Sequence, residues 1–230
     1  MQPEVDMIPT VSVKNMRLSD AHTIDNFVPS LELMYRAAMG VFKAYHWPGS
    51  TAIVVGSGNN GGDGFALAWI LKQKGFDCTV FTVSQKMSPD SAYYAEKASE
   101  SGVPARPFEA GILHGFDTVV DCLLGTGFSG TARGNYRDAI EEINTSGAFV
   151  ISVDINSGMN GDTGDAELAI RSDLTVTIGY VKTGLVTENA GKYMKRLVCV
   201  DIGIVLIQEE GHITVETCPP WLDLNIISSQ

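Results

Sequence analysis

The sequence predicts a three-layer α/β/α sandwich with a Rossmann-like, mostly parallel sheet. Short apolar runs of strand length alternate along the chain with longer segments of helical periodicity. Several of these runs end in glycine-rich polar segments, as strands do at the carboxyl edge of a parallel sheet. The 230 residues contain no internal repeat, low-complexity tract or Pro/Ser-rich linker, which favours a single domain over residues 1–230.

The predicted elements follow one another in the order of βαβ units. The first is a helix over residues 31–45, where apolar side chains recur every three or four positions after Pro29 and Ser30. Five apolar runs predict buried strands, at residues 51–56, 78–83, 117–124, 148–155 and 173–179. Three further helices are predicted between them, at residues 65–74, 88–100 and 136–144. Such crossovers place the strands parallel in one sheet with helices on both faces.

The excess of acidic residues argues against two classes of partner. The chain has 27 aspartates and glutamates against 16 lysines and arginines, a formal net charge of −11. Nonspecific binding to nucleic acids or anionic membranes depends on basic clusters, so we expect neither partner. A phosphate ligand stays allowed, because backbone N–H groups can bind phosphate without a lysine.

The spacing of the cysteines and the composition of the first ten residues indicate the cellular compartment. The chain contains four widely spaced cysteines, Cys78, Cys122, Cys199 and Cys218. With no C-x-x-C pair, they predict buried thiols rather than a disulfide framework or a zinc site. The first ten residues lack the apolar core of a signal peptide, and the apolar stretch 197–207 is too short to span a bilayer. We therefore expect a soluble, cytoplasmic protein.

The glycine-rich segment at residues 54–66 places Gly56, Gly58 and Gly61 in the spacing G-x-G-x-x-G. A NAD-dependent dehydrogenase would need an acidic residue at the end of the next strand, where residues 84–86 are Ser-Gln-Lys. No Gly-Lys-Ser/Thr follows, which excludes a Walker A loop. The two asparagines and the aspartate in this segment therefore indicate a different site.

Two aspartates, Asp121 and Asp154, lie within apolar strand-like runs that precede glycine-rich segments. A buried carboxylate needs partners, and for either residue alone the capping of a neighbouring turn stays an open alternative. Two such residues at one edge of the sheet favour a shared site. Asn60, Asp121 and Ser157 are oxygen donors that this topology can bring together, and a single carboxylate predicts a weakly charged cation rather than zinc.

Three segments resemble the YjeF N-terminal domain family, the NAD(P)H-hydrate epimerases. They are SGNNGGDG at 57–64, VDCLLGTGFSG at 120–130 and VDINSGMNGDTG at 153–164. The resemblance runs from about residue 14 to 205 and includes Asp20 and the segment TVTIGYVKTGL at 175–185. Asn156 stands where the family usually has proline, and Met39 precedes Gly40 where it usually has a second glycine. Neither departure is expected to touch a position that carries the chemistry.

The resemblance implies an isomerase that interconverts the R and S forms of NAD(P)H hydrated at C6 of the nicotinamide ring. A separate dehydratase acting on the S form is the implied functional partner. Potassium is the implied cofactor, held by Asn60, Asp121 and Ser157. The implied substrate-binding residues are Asn59, Asn60, Gly61, Gly62, Asp63, Gly125, Thr126, Gly127, Phe128, Ser129, Gly130, Thr131 and Asp154.

Asp154 is the predicted acid/base, because it lies at a strand end beside a glycine-rich loop. The hypothesis is that the C6 hydroxyl leaves with help from the ring nitrogen and that water returns to the opposite face. Asp63 is the competing candidate. Its alternative role is an N-cap for the helix expected from Phe65.

An alternative function is a non-catalytic protein-binding or dimerisation module of the same fold. A module has no need for the four site residues Asn60, Asp121, Asp154 and Ser157. A homodimer is expected from the resemblance and from the apolar residues 31–42, although these residues could equally cover their own sheet. The preference between NADHX and NADPHX is left open, with Lys86 as a weak candidate to contact a 2′-phosphate.

Overall fold

The computed structural model describes residues 7–229 and confirms the predicted α/β fold. Residues 1–6 and 230 lie outside the described residues, and so does part of the segment that argued against a signal peptide. The single domain over residues 1–230, with its motif-bearing core at 14–205, stays a prediction.

The described residues form eleven strands and five α-helices. The strands are β1 (Ile8–Val11), β2 (Thr51–Val55), β3 (Cys78–Thr82), β4 (Ala105–Pro107), β5 (Thr118–Cys122), β6 (Phe149–Val153), β7 (Leu174–Ile178), β8 (Val181–Lys182), β9 (Leu197–Asp201), β10 (Gly211–Ile213) and β11 (Ile227–Ser228). The helices are α1 (Val13–Asn26), α2 (Ser30–Ala44), α3 (Asn59–Gln73), α4 (Pro89–Glu100) and α5 (Asn135–Thr145). All five predicted strands and four predicted helices are present.

Eight strands form one parallel sheet in the spatial order β11-β9-β7-β6-β5-β2-β3-β4. From β2 the chain proceeds outward to β3 and β4, then returns to place β5 against the other side of β2. The strand order therefore reverses between β2 and β5. Ligands of such sheets bind beyond the carboxyl ends of the strands at this reversal, so the topology itself indicates where a site should lie.

Helix α3 begins at Asn59 instead of residue 65, so the glycine-rich segment is its first turn rather than a loop. A Cβ on Gly61 would lie 2.2 Å from the carbonyl oxygen of Gly56, so only glycine fits there. The N-cap is Gly58, and no side chain caps the helix. The alternative interpretation of Asp63 as an N-cap is therefore wrong, and this carboxyl group is free for another role.

Helices cover both faces of the main sheet. Side chains of α2, α3 and α4 pack with Ile53 and Val55 on one face, and α5 packs with Ala52 and Val54 on the other. The apolar side of α2 belongs to the first of these clusters, so it covers the chain's own sheet. The helix thus gives no support to a homodimer, which stays a prediction.

A small second sheet joins β1 to β10 and, in parallel, to β8. Val11 of β1 pairs with Lys182 of β8, and α1 follows β1 after one residue. Apolar side chains of β1 and β8 share a cluster with those of β9, which attaches the small sheet to the large one. Among residues 7–229, no helix has the length and apolar character needed to cross a membrane.

Candidate active site

A cavity of about 510 Å³ opens beyond the carboxyl ends of β2 and β5. Its wall comes from the segments that follow β2, β5 and β6, from α1, α2 and the start of α3, and from β8. Its charged lining residues are Asp20, Asp63, Asp90, Asp154, Arg17 and Lys182. The predicted crevice is therefore present, and the described residues give it more acidic than basic side chains.

Asp154 directly follows β6 and is fixed at both carboxylate oxygens. Its Oδ2 accepts the N–H of Thr126 at 3.3 Å, and its Oδ1 accepts a proton of Lys182 Nζ at 2.5 Å. Its backbone φ is 71°, the only positive value at a non-glycine position among the described residues. Such a conformation costs on the order of 1–3 kcal/mol and persists where surrounding contacts determine it. The structure therefore holds Asp154 in a defined orientation at the cavity wall.

Lys182 is a site residue that the sequence analysis assigned no role. Its side chain is 1% exposed, and Nζ also donates to Thr177 Oγ1 at 3.1 Å and to the Ile178 carbonyl at 2.7 Å. A lysine is almost never buried unless it is paired. Two features of the sequence pointed to it: Lys182 directly follows an apolar run, and it lies in the segment 175–185 that carries part of the family resemblance.

Asp63 on α3 and Asp20 on α1 face the same cavity as Asp154. Burial raises the pKa of Asp63 well above its usual range, the charges of Asp154 and Asp20 raise it further, and Lys182 lowers it. Burial and then Asp154 also raise the pKa of Asp20, again opposed by Lys182. Three carboxyl groups thus share one ammonium group, and this crowding favours a proton on Asp63.

Asp121 and Ser157 form a buried polar network. Ser157 donates its Oγ proton to Asp121 Oδ1 at 2.5 Å and its N–H to Oδ2 at 3.0 Å. The carboxylate also accepts from the Leu123 N–H and from Ser152 Oγ. Burial raises the pKa of Asp121 above its usual value, and these hydrogen bonds oppose that rise. Within residues 7–229, no lysine or arginine forms an ion pair with Asp121.

Asn60 connects to this network through the carbonyl oxygen of Leu124. Asn60 Nδ2 donates to that oxygen at 3.0 Å, and Ser157 Oγ lies 3.2 Å from it. Asn60 Oδ1 is buried and has no hydrogen-bond partner among the described residues. An unpaired buried oxygen is costly, and a cation would satisfy it. Asn60, Asp121 and Ser157 are thus brought into one group, and their role as cation ligands stays a prediction.

A family described as YjeF-related protein N-terminus matches residues 30–184, more than half of the chain. The chain belongs to this YjeF-related family. A curated relative, an NAD(P)H-hydrate epimerase of Limosilactobacillus fermentum, is 35% identical over 199 residues. That alignment covers 83% of this chain and 95% of the relative.

Two further similarities extend the YjeF-related assignment. A bifunctional NAD(P)H-hydrate repair enzyme of Coxiella burnetii is 34% identical over 204 residues, which are 85% of this chain. The match covers 42% of that enzyme, so the chain spans less than half of its length. The crystal structure of yeast ynu0 superimposes with a TM-score of 0.72 at 19% identity, over 90% of this chain and 100% of that one. The latter shows a shared fold.

The predicted substrate residues of this YjeF-related chain do not all face one cavity. The cavity is lined by Asn59, Asn60, Asp63, Gly125, Thr126, Gly127, Phe128 and Asp154. Ser129–Thr131 instead line a second cavity, which shares Phe128 with the first. Gly61 and Gly62 line neither; a Cβ on Gly62 would lie 2.6 Å from Met34 Cε, so this glycine serves packing. Lys86 lines neither of these cavities, and Arg17, which had no assigned role, lines the first.

Asn156, the departure from the usual YjeF-related proline, has a structural role next to the site. It lies between Asp154 and Ser157 and is fully buried. Its Oδ1 accepts from Thr175 Oγ1 at 2.6 Å. Its Nδ2 donates to the Ile170 carbonyl, Ser172 Oγ and the Tyr193 carbonyl. These contacts hold the segment between Asp154 and Ser157 and involve none of the predicted site residues, so the expectation that this departure leaves the chemistry untouched stays a prediction.

Proposed function

We propose that this chain is an NAD(P)H-hydrate epimerase, an isomerase that interconverts the R and S forms of hydrated NADH or NADPH. The observation that carries the proposal is the cavity at the reversal of strand order, beside the start of α3. Asp63 and Asp154 both line this cavity, and the charge of Asp154 contributes to the raised pKa of Asp63. Membership of the YjeF-related family and the curated names of its relatives support the same reaction.

Inversion at C6 requires the C6–O bond to break and to form again on the other face. An acid protonates the hydroxyl, which leaves as water with the bonding electrons, and the ring nitrogen lone pair forms a C=N⁺ bond. Water then adds to C6 from the opposite face and returns one proton to the carboxylate that acted as acid. The product has the same atoms and charge as the substrate, so no oxidant or reductant is required.

The two carboxyl groups of the cavity suit different parts of this reaction. Asp63 suits the acid, because burial and the neighbouring carboxylates raise its pKa well above the usual range and so favour its protonated form. Asp154 suits the stabilisation of the cationic intermediate, because its carboxylate is held in a fixed orientation by Thr126 and Lys182. The proposal thus gives Asp63 the acid/base role that the sequence assigned to Asp154, and it keeps for Asp154 the stabilisation of the cation.

The donor set at Asn60, Asp121 and Ser157 fits potassium. The unpaired Asn60 Oδ1, the Asp121 carboxylate and the Leu124 carbonyl are oxygen donors with a single negative charge among them. A bound potassium ion would supply a positive charge beside Asp121. Asn60 belongs to the first turn of α3 and Leu124 follows β5, so residues that hold the ion also hold together two walls of the cavity.

Potassium should stabilise the protein through Asn60. At ten times its dissociation constant a ligand adds about 1.4 kcal/mol, which corresponds to a rise in Tm of about 3–6 °C for a protein of this size. We expect this rise in KCl but not in tetramethylammonium chloride at equal ionic strength, and we expect Asn60→Leu to abolish it. Asn59→Leu, at the exposed neighbouring position, is the control that should keep the response. Equal Tm values in both salts would contradict the cation site.

The phosphates of the dinucleotide have two partners at the cavity. The first-turn N–H groups of α3 have no helical acceptor, and no side chain caps this end. Arg17 of α1 lines the cavity, is exposed, and forms no hydrogen bond or ion pair with the described residues. Lys182 already donates to three acceptors. Arg17 is therefore the cation of the described lining that is available to a phosphate.

Replacing Arg17 by glutamine should weaken substrate binding. A charged hydrogen bond contributes about 1.5–3 kcal/mol, so we expect KM to rise on the order of 10-fold or more while kcat changes little. Steady-state kinetics with hydrated NADH at two salt concentrations measure the effect. Lys14→Gln, an exposed position on the same helix that does not line the cavity, is the matched control. Equal KM values for Arg17→Gln and the control would remove Arg17 from the site.

The assay that tests the function starts from a single separated epimer of hydrated NADH. Chromatography should show the other epimer appearing on addition of the protein, faster than the spontaneous rate. An unchanged rate would contradict the proposal and favour the non-catalytic module. Homodimerisation, a cytoplasmic location and partnership with a separate dehydratase acting on the S form are further parts of this proposal.

A further inference from the structure

Lys182 has no proton left for a ligand in the cavity. The three protons of its ammonium group are directed at Asp154 Oδ1, Thr177 Oγ1 and the Ile178 carbonyl, at distances of 2.5–3.1 Å. The side chain is 1% exposed, so water does not replace any of these acceptors. A direct proton transfer from Lys182 to substrate would leave a buried acceptor unpaired, which is unfavourable. The ammonium group is therefore suited to act on Asp154.

Asp154 needs such a partner for two reasons. Its carboxylate lies near enough to Asp20 and Asp63 to raise the pKa of each, so three carboxyl groups crowd this part of the cavity. Its left-handed backbone must also be held by contacts. Lys182 meets both needs, because its positive charge pairs with Asp154 and its ammonium group fixes Oδ1, which leaves Oδ2 directed at the Thr126 N–H on the cavity wall.

The small sheet keeps Lys182 in place. Lys182 pairs with Val11 of β1, and α1, which begins at Val13, carries Asp20 to the same cavity. β8 and β9 share an apolar cluster with β1, so a displacement of Lys182 would require the small sheet to move. The ammonium group thus has a rigid support on an element outside the main sheet.

We propose that Lys182 is a positioning residue of the reaction, which fixes the orientation of Asp154 and pairs with its carboxylate without touching the substrate. This inference rests on the proposed epimerase function. The cationic intermediate is then stabilised by Asp154 as the partner of Lys182 in a buried ion pair, rather than by Asp154 alone. A residue that acts through Asp154 should lower kcat with little change in KM, and its effect should disappear when Asp154 is already neutral.

The test is a double-mutant cycle with Lys182→Met and Asp154→Asn, with rates divided by the folded fraction. We expect Lys182→Met to lower kcat at least 10-fold in the wild-type background, with KM within about threefold, and to lower it less than threefold in the Asp154→Asn background. Full activity of Lys182→Met, or the same loss in both backgrounds, would overturn the inference.

Lys182→Met leaves Asp154 without its cation, so a second comparison is needed if this variant does not fold. Lys182→Arg keeps the charge, and we expect at least a 10-fold loss in kcat because a planar guanidinium cannot reproduce the three-acceptor arrangement. The double variant lacks both charges and should fold. Wild-type activity in Lys182→Arg, or a double variant far slower than Asp154→Asn, would contradict the proposal.

Amide hydrogen exchange does not depend on activity, so it tests this inference separately from the proposed function. Asp154 Oδ2 accepts the Thr126 N–H, so release of Asp154 should speed hydrogen exchange of that amide about 10-fold or more in Lys182→Arg. The Leu124 amide, which donates to Ser157 Oγ, should exchange as in the wild type. If the wild type does not epimerise, the function is wrong; if Thr126 exchange is unchanged, the positioning role is wrong.

Discussion

Asp154→Asn should lower the epimerisation rate per folded molecule by about 10²–10⁴, and it should also lower the Tm because it leaves the buried Lys182 without its carboxylate. Asparagine keeps the shape of the side chain and can tolerate the left-handed backbone that Asp154 adopts with φ of 71°. It removes the negative charge that would stabilise the cationic intermediate. Interconversion of the separated epimers, followed by chromatography, measures the loss, and affinity for unhydrated NADH should change little.

Asp138→Asn is the control for Asp154→Asn, because Asp138 is an exposed aspartate of α5 that lines neither of the two cavities described above. We expect its rate to equal that of the wild type. An Asp154→Asn variant that epimerises at nearly the wild-type rate would remove this residue from the reaction. If Asp63→Asn were then inactive, Asp63 alone would carry the catalytic role.

Asp63→Asn should lower the rate by a similar factor, about 10²–10⁴, because it removes the proposed proton donor. The wild-type rate should in turn fall as pH rises through the raised pKa of Asp63. The titratable and charged groups around this carboxyl are Asp20, Asp154, Lys182 and Cys122. Asp63→Asn should retain no such pH dependence in its residual rate, and a profile unchanged from the wild type would contradict the assignment.

Asp63→Asn should also stabilise the protein relative to the wild type as the pH rises. The folded pKa of Asp63 is raised above its unfolded value, so its contribution to stability is complete at acidic pH and is lost as pH rises through the folded pKa. Asparagine cannot ionise. The difference in Tm between Asp63→Asn and the wild type should therefore be more positive at pH 8 than at pH 5, and equal differences at both pH values would show that Asp63 ionises freely.

The main sheet could be predicted from the sequence because its central strands are buried on both faces. The apolar runs of β2, β5 and β6 show no alternation of apolar and polar residues, as is typical of strands covered on both faces. Helix α1 was not predicted, since its buried face carries Asn15, Ser19 and Thr23. These polar side chains take part in hydrogen bonds, for instance Ser19 and Thr23 with the segment after β9. A helix packed through polar groups leaves no apolar period to recognise.

The site residues that end strands of the main sheet could be predicted from the sequence. The site residues contributed by elements outside the main sheet were missed. Asp121 and Asp154 stand out as charges in apolar runs that the topology places at one edge. Lys182 and Arg17 reach the cavity from β8 and α1, which are attached through the small sheet. The pairing of β1 with β8 joins residues far apart in the chain, and no local pattern specifies it.

The first turn of α3 has a consequence for the order of folding. Residues 59–64 are Asn-Asn-Gly-Gly-Asp-Gly, and each glycine is about 0.8–1.0 kcal/mol less favourable than alanine in a helix. This turn cannot nucleate by itself and becomes helical only when it can dock on Met34 of α2 and on the end of β2. We therefore expect the nucleus for folding to lie in the apolar strands and α2, and the first turn of α3 to join after the transition state. A partly folded chain is therefore expected to form the main sheet before it forms the candidate active site.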